Sequence, residues 1–400
     1  MGGDLLAPGS HRAAGVVDDD ALGAALVRVE VAWLHALADV GAVEAAHAER
    51  LAEVAARHRP DLAALAVEGE AAGNVVVPLV RGLRDAVGGE AAGLVHRGLT
   101  SQDVLDTALV LLARDALTRV RDELAAAAVS LADLAQVHRG SLMVGRTLGQ
   151  HAVPVTFGLT AAQWLAGVLD AIEQVEVVLA GLPVQCGGAA GTLALVGELT
   201  DDPVAAARAL AVRLSLTWPG LPWHTRRAPM TRVGDALVTT CDALGVVAAD
   251  VALLSRPEIA EVREGAVAGR GGSSTMPHKR NPVLSVLVRG ASLQAPLLGA
   301  QLHTCAAQAV DQRPDGAWHA EWPALRHLMG LTVTAAAQAA ELVAGLEVDV
   351  AAMGRRAEDA AADLLAERGR PGEPGDYLGA AAALVDGVLA RHAVRGPDRA

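Results

Sequence analysis

The residues best suited to chemistry lie in the run GRGGSSTMPHKRNP, Gly269 to Pro282. Ser273 and Ser274 follow Gly271 and Gly272, and His278, Lys279 and Asn281 follow a Met-Pro step. Grouped this tightly, they offer an anionic ligand a cation and several hydrogen-bond donors. The glycines leave the backbone free to adopt positive φ, and Pro277 and Pro282 stop helix on either side. An arbitrary Gly/Ser/Lys loop is usually a solvated connector. The pattern G-S-S-x-M-P-x-K-x-N between two long apolar segments is too specific for that reading.

A second polar group is His96, Arg97, Thr100, Ser101, Gln102 and Asp103, just ahead of a long amphipathic segment. The structural reading is a capping box. The functional reading is compatible with it, because a helix N-terminus offers free N–H groups to a carboxylate. A third group lies in GRTLGQHAVPVT, Gly145 to Thr156, with Arg146, Gln150 and His151. Arg313 and the WHAEW run at 318–322 form a fourth. His151 reads as structural, and Trp318 and Trp322 read as packing at a helix junction.

The elements that carry these groups are helical. Apolar residues from Ala21 to Trp33 recur on one face of a helix running to about Val40. Further helices are expected over about 42–58, 61–70, 103–138, 203–215, 231–260 and 283–310, and from the WHAEW run to about Val343. Asn74 is placed to cap a helix over 73–87, and Pro154 is expected to open or kink one running to about Ala180. GLPVQCGGAAGT, Gly181 to Thr192, reads as a helix-breaking elbow. The expectation is an all-α protein of three helical domains. These are a small one over 1–99, a central bundle of very long helices over 100–343 that carries loop 269–282, and a short one over 344–400.

Composition narrows the function classes. Apolar residues make up 52% of the 400, with one Phe and one Tyr. Such an Ala-rich core favours closely packed helices. The net charge of −13 speaks against nucleic acid as a partner. Any anionic substrate must therefore be held by a local basic cluster. The three scattered cysteines point to a reducing, cytoplasmic setting. Neither CxxC nor HExxH is present, so no metal is expected, and no strand-linked Gly-rich loop calls for a nucleotide cofactor. Asp250 interrupts the longest apolar run, so no membrane span is expected.

The loop GSSTMPHKRN resembles the signature of the fumarase/aspartase superfamily. H-R-G-L-T-S-Q-D at 96–103 and G-R-T-x-x-Q-x-A-x-P-x-T at 145–156 are similar to its two other shared motifs. The resemblance implies homotetramers with active sites shared between subunits, and a small di- or tricarboxylate substrate. It makes Ser273 the base that takes a proton from the carbon next to a carboxylate, with Ser274 as an alternative. Lys279 and Asn281 complete the catalytic group. His96, Arg97, Thr100, Ser101, Gln102, Arg146, Gln150 and Arg313 are the implied substrate contacts.

Within the superfamily, many members carry His in the second motif, and adenylosuccinate lyases pair it with Glu. Here those positions are Leu148 and Val286. Hydroxide and amines leave poorly without a proton, so such a pair helps them depart. A carboxylate, whose conjugate acid has a pKa near about 4, leaves as an anion at neutral pH. Loss of the pair therefore points to a leaving group that is already stable. The stretches GGAAGTL and GAWHAEW resemble the 3-carboxy-cis,cis-muconate cycloisomerase branch. Asp311-Gln312 departs from the His-Glu usual there, and the segment after 344 is short. These departures leave open an elimination that releases nitrite, as in a nitrosuccinate lyase. A catalytically silent scaffold is the reading from another class.

Overall fold

In the computed structural model, residues 5–395 are described, except 274, 277 and 278. The N-terminal part contains α1 (Asp19–Asp39), α2 (Ala45–Arg57), α3 (Leu62–Ala72), α4 (Val76–Val87) and the short α5 (Gly89–Ala92). The bundle follows as α6 (Ser101–Val137), β1 (Leu142–Thr147), β2 (Gln150–Thr156), α7 (Phe157–Ala180), α8 (Ala194–Gly197), α9 (Pro203–Leu214), α10 (Ala228–Leu254), β3 (Val262–Glu264), α11 (Val283–Ala307) and α12 (Gly316–Ala344). The chain ends with β4 (Leu346–Val348), α13 (Val350–Asp359), α14 (Ala361–Leu364) and α15 (Ala381–Arg395). Among the described residues, the regular structure is helical apart from two two-stranded ribbons, β1–β2 and β3–β4.

Local chemistry fixes the helix starts. Asp18, Asp61, Asp202 and Asp349 each accept a backbone N–H in the first turn of the helix that follows. Thr100 and Asp103 form the capping box of α6. Residues 102–113 of α6 are buried all round, so that stretch lies within other elements rather than on the surface. One continuous apolar core joins the N-terminal helices, the bundle and Val385 of α15.

Five helices run the length of the bundle, and their end contacts give its direction. Thr107, near the start of α6, bonds the Gln185 carbonyl just after α7, so α7 returns antiparallel. α10 and α12 begin beside Asp106 of α6, through Arg227 and Trp318. Both end at the β3–β4 ribbon. α11 runs back from that ribbon, with its first amides, Leu284 and Ser285, bonded to Glu264. At the far end of α6, Gly158 lets α7 cross closely, since a Cβ there would lie 2.6 Å from the His138 carbonyl oxygen.

Two expectations are corrected. Pro154 neither opens nor kinks a helix; it lies in β2, opposite Val144. A two-stranded ribbon has free edges on both sides, so a missing N–H is tolerated there. The second correction concerns apolar length. The helices Asp19–Asp39, Ala228–Leu254 and Val283–Ala307 are each long and apolar enough, by length and composition, to cross a membrane. α1 and α10 have half or more of their apolar stretch buried against other helices, whereas α11 has only 33%.

Candidate active site

The signature loop is a tight excursion between β3 and α11. Asn281 closes it, its backbone N–H and its side-chain Nδ2 both donating to the Gly271 carbonyl at 2.8 and 3.2 Å. Gly271 has φ of +74°, and a Cβ there would meet the Asn281 carbonyl at 2.7 Å. Gly272 and Arg280 pair across the same neck. Inside it, Ser273 Oγ accepts backbone N–H groups from Thr275 (3.3 Å) and Met276 (3.1 Å). Ser273 is partly exposed, and Lys279 is exposed on the same loop. Ser274 and His278 lie outside the described residues.

The second motif forms the β1–β2 hairpin. Its tip places Leu148 at φ +51° and Gly149 at φ +79°, the positive pair that a two-residue hairpin turn demands. Leu148 is fully exposed there and Gln150 is exposed beside it. Arg146 is turned inward. Its guanidinium forks onto the buried carboxylate of Glu261 at 3.1 and 3.2 Å and also reaches the Val144 carbonyl. Its charge is thereby answered within the chain, and it ties the hairpin to the residue just before β3.

The first motif occupies the opposite end of the bundle. Thr100 is buried, Ser101 is half-buried and Arg97 is exposed. Gln102 is fully buried, with its amide donating to Asp106 and to the His224 carbonyl. These bonds place Gln102 in the interior polar network rather than on a surface that a substrate would meet. Arg313 is exposed in the turn before α12. The 37 residues of α6 span about 55 Å at 1.5 Å per residue. Thr100 and Ser101 therefore stand about that far from the hairpin, which follows the other end of α6, and the Ser273 loop lies on the hairpin's side of the bundle, because Glu261, just before β3, is bonded to Arg146.

Beneath Thr100 lies a buried polar network that the sequence reading did not assemble. Asp103 accepts four bonds, from the N–H groups of Thr100, Gly187 and Gly188 and from His224 Nε2, at 2.8–3.0 Å. Asp106 forks onto Arg227 at 2.6 and 3.0 Å and accepts from Trp318 Nε1 at 2.9 Å. Arg227 forks in turn onto Glu321. Burial lifts the Glu321 carboxyl above the usual range, against the pull of Arg227. Burial alone would depress Arg227, but Asp106 and Glu321 together hold it above its ordinary value. With one guanidinium between two carboxylates, the charged triad is the arrangement that satisfies all three. The WHAEW run thus supplies Trp318 and Glu321 as anchors that fix the start of α6. Trp318 also packs edge-on against Trp322, so the expected junction packing is present as well.

Fold and motifs together define a class of enzyme. The lyase family profile matches residues 16–297, and the chain belongs to the fumarase/aspartase superfamily. Among its relatives, a nitrosuccinate lyase of Streptomyces davaonensis is 44% identical over 88% of this chain and 76% of that protein. A 3-carboxy-cis,cis-muconate cycloisomerase of Bradyrhizobium diazoefficiens is 41% identical over 87% of this chain and 78% of that one. The crystal structure of 3-carboxy-cis,cis-muconate lactonizing enzyme from Pseudomonas putida superposes with a TM-score of 0.84 at 31% identity, covering 94% of this chain and 95% of that one.

Proposed function

We propose that this chain is a 3-carboxy-cis,cis-muconate cycloisomerase of aromatic catabolism that works without metal or organic cofactor. In the lactonising direction, one substrate carboxylate adds to the diene, forming a C–O bond, and the Ser273 hydroxyl delivers a proton to the carbon α to another carboxylate. In reverse, the Ser273 alkoxide takes that proton and the carboxylate departs with the C–O electron pair. The observation that carries this reading is the pair of N–H groups on Ser273 Oγ. A serine hydroxyl is a weak base, and two fixed amide dipoles aimed at its oxygen favour the alkoxide. Lys279 adds a positive charge on the same loop. Asn281 sets the loop's closure, and the α6 start, with Thr100 and Ser101, offers a carboxylate its helix N-terminus.

Leu148 and Val286, both exposed, stand where the resemblance puts the His of many superfamily members and the Glu that adenylosuccinate lyases pair with it. The leaving group is therefore one that departs unprotonated. This condition also admits nitrite. The 44% identity to a nitrosuccinate lyase supports that second reading, and Asp311-Gln312 keeps it open; in it Ser273 takes the α-proton and nitrite leaves with the C–N electron pair. One experiment separates the two. The protein is incubated with 3-carboxy-cis,cis-muconate, following diene absorbance, and with nitrosuccinate, following nitrite. Loss of the diene without nitrite release is expected. Nitrite alone would establish the second reading, and neither signal would sink both.

The site is proposed to be shared in a cytoplasmic homotetramer. The separation along α6 prevents the three motifs from meeting within one chain. α11 also exposes Val286, Leu293 and Leu297 at i, i+7 and i+11, an apolar stripe suited to a helix of another subunit. The three cysteines are free and buried, in keeping with a reducing compartment. Two inactive variants, Ser273→Ala and Ser101→Ala with Thr100→Ala, should regain part of the wild-type activity when refolded together, because mixed tetramers contain intact sites. No recovery in demonstrably mixed tetramers would overturn the shared arrangement.

A further inference from the structure

We propose that Glu30 is a positioning residue. It fixes the imidazole of His96 so that Nε2 meets an anionic group of the substrate. Glu30 lies in α1, far in sequence from every motif described above, and is fully buried. His96 Nδ1–H donates to its Oε1 at 2.6 Å. The other oxygen, Oε2, has no donor among the described residues. A buried carboxylate with one partner is costly as an anion unless that partner supplies charge. His96 is the group able to do so.

The backbone around the ring is built for this contact. His96 has φ of +64°, an unfavourable conformation for a residue with a side chain. It is held there from both flanks. Arg84 donates to the Val95 carbonyl at 2.9 Å, and Trp33 Nε1 donates to the Arg97 carbonyl at 2.8 Å. Nε2 has no partner among the described residues. His96 lines a cavity of about 290 Å³ together with Val77, Val80, Arg81, Arg84 and Asp85. To hold an anionic oxygen through Nε2, the ring must carry protons on both nitrogens. Glu30 is the buried carboxylate that faces the ring from α1, on the Nδ1 side opposite Nε2. His96 lies four residues before Thr100, so the dyad stands beside the end of α6 assigned to a substrate carboxylate.

The kinetic part of this inference rests on the proposed function, but the dyad does not. In the wild-type protein, ¹⁵N-histidine NMR should show the His96 Nδ1 protonated, with its signal identified by its loss in His96→Asn. Glu30→Gln, which keeps size and removes charge, should move the His96 nitrogen signals. With whichever of the two substrates is turned over, Glu30→Gln should raise KM about tenfold or more, the effect of losing one charge-assisted hydrogen bond, with kcat little changed. In a His96→Asn background, Glu30→Gln should raise KM no further, because it acts through the ring. An unprotonated Nδ1 in the wild type would overturn the proposal, as would an undiminished Glu30→Gln effect without His96. If neither substrate is turned over, the functional reading fails, while the NMR result still decides whether Glu30 sets the ring.

Discussion

Replacing Ser273 by Ala is expected to lower kcat by about 10³-fold, the middle of the range for loss of a positioned general base. The fold should be unchanged, because the side chain is partly exposed and bonds to no other element among the described residues. Its bonds are to Thr275 and Met276, two and three residues on. That pattern has a plain structural use, since a serine oxygen often closes a turn on amides just downstream. The two uses differ in what the variant does. If the hydroxyl only closes the turn, Ser273→Ala loosens the loop, and KM rises with a modest fall in kcat. If the oxygen is the base, kcat collapses and binding of a substrate analogue such as fumarate persists. Activity within tenfold of wild type would move the base to another group, with Ser274 the first to test. Lys279→Met should lower kcat as well, but by less, since the two amide dipoles remain in place.

The helical frame and the three motifs are legible in the sequence because each rests on a short-range signal. Apolar spacing marks α1 and α6, and the polar run Thr100 to Asp103 marks a capping box near where α6 begins, which the fold assigns to Thr100 and Asp103. The hairpin at 142–156 is harder to read. Its alternation is broken by the irregular pairing between Val144 and Arg146, its turn is Leu-Gly rather than a strong Asn-Gly signal, and Pro154 argues for a helix start. The outcome depends on pairing across the ribbon, which no single segment encodes. The same limit applies to the buried network. Asp106 and Arg227 are isolated charges in apolar surroundings, which is a usable hint that each needs a partner. Which partner it is depends on the way α6, α10 and α12 start at one end of the bundle. Arg146 shows the converse. Its place in a shared motif suggests a substrate contact, whereas the fold gives it Glu261 and a role in fastening the hairpin to the strand that leads into the Ser273 loop.

Arg227→Met is expected to cost about 3–5 kcal/mol of stability, the range for removing one member of a buried ion pair. The hydrophobic replacement fills much of the volume, so the loss is electrostatic. Asp106 keeps Trp318 and the amides of Gln102 and Gln185 as donors. Glu321 loses both of its bonds. Two carboxylates would then face one another in the interior with no cation between them. The check is the apparent melting temperature or the urea midpoint, measured at one protein concentration because the proposed assembly would contribute to both. Arg227→Lys keeps the charge but not the two-sided fork, and should lose less. The decisive comparison is the double variant Arg227→Met with Glu321→Gln. Removing the stranded carboxylate should restore part of the lost stability, even though a second native group has been removed. A double variant less stable than Arg227→Met alone would mean that Glu321 contributes through packing or other contacts. The account of this network as a charge-balanced clamp on the start of α6 would then fail. Because that clamp also fixes Thr100 and Ser101, folded Arg227→Met should show a raised KM in parallel, although Arg227 itself is buried away from any substrate.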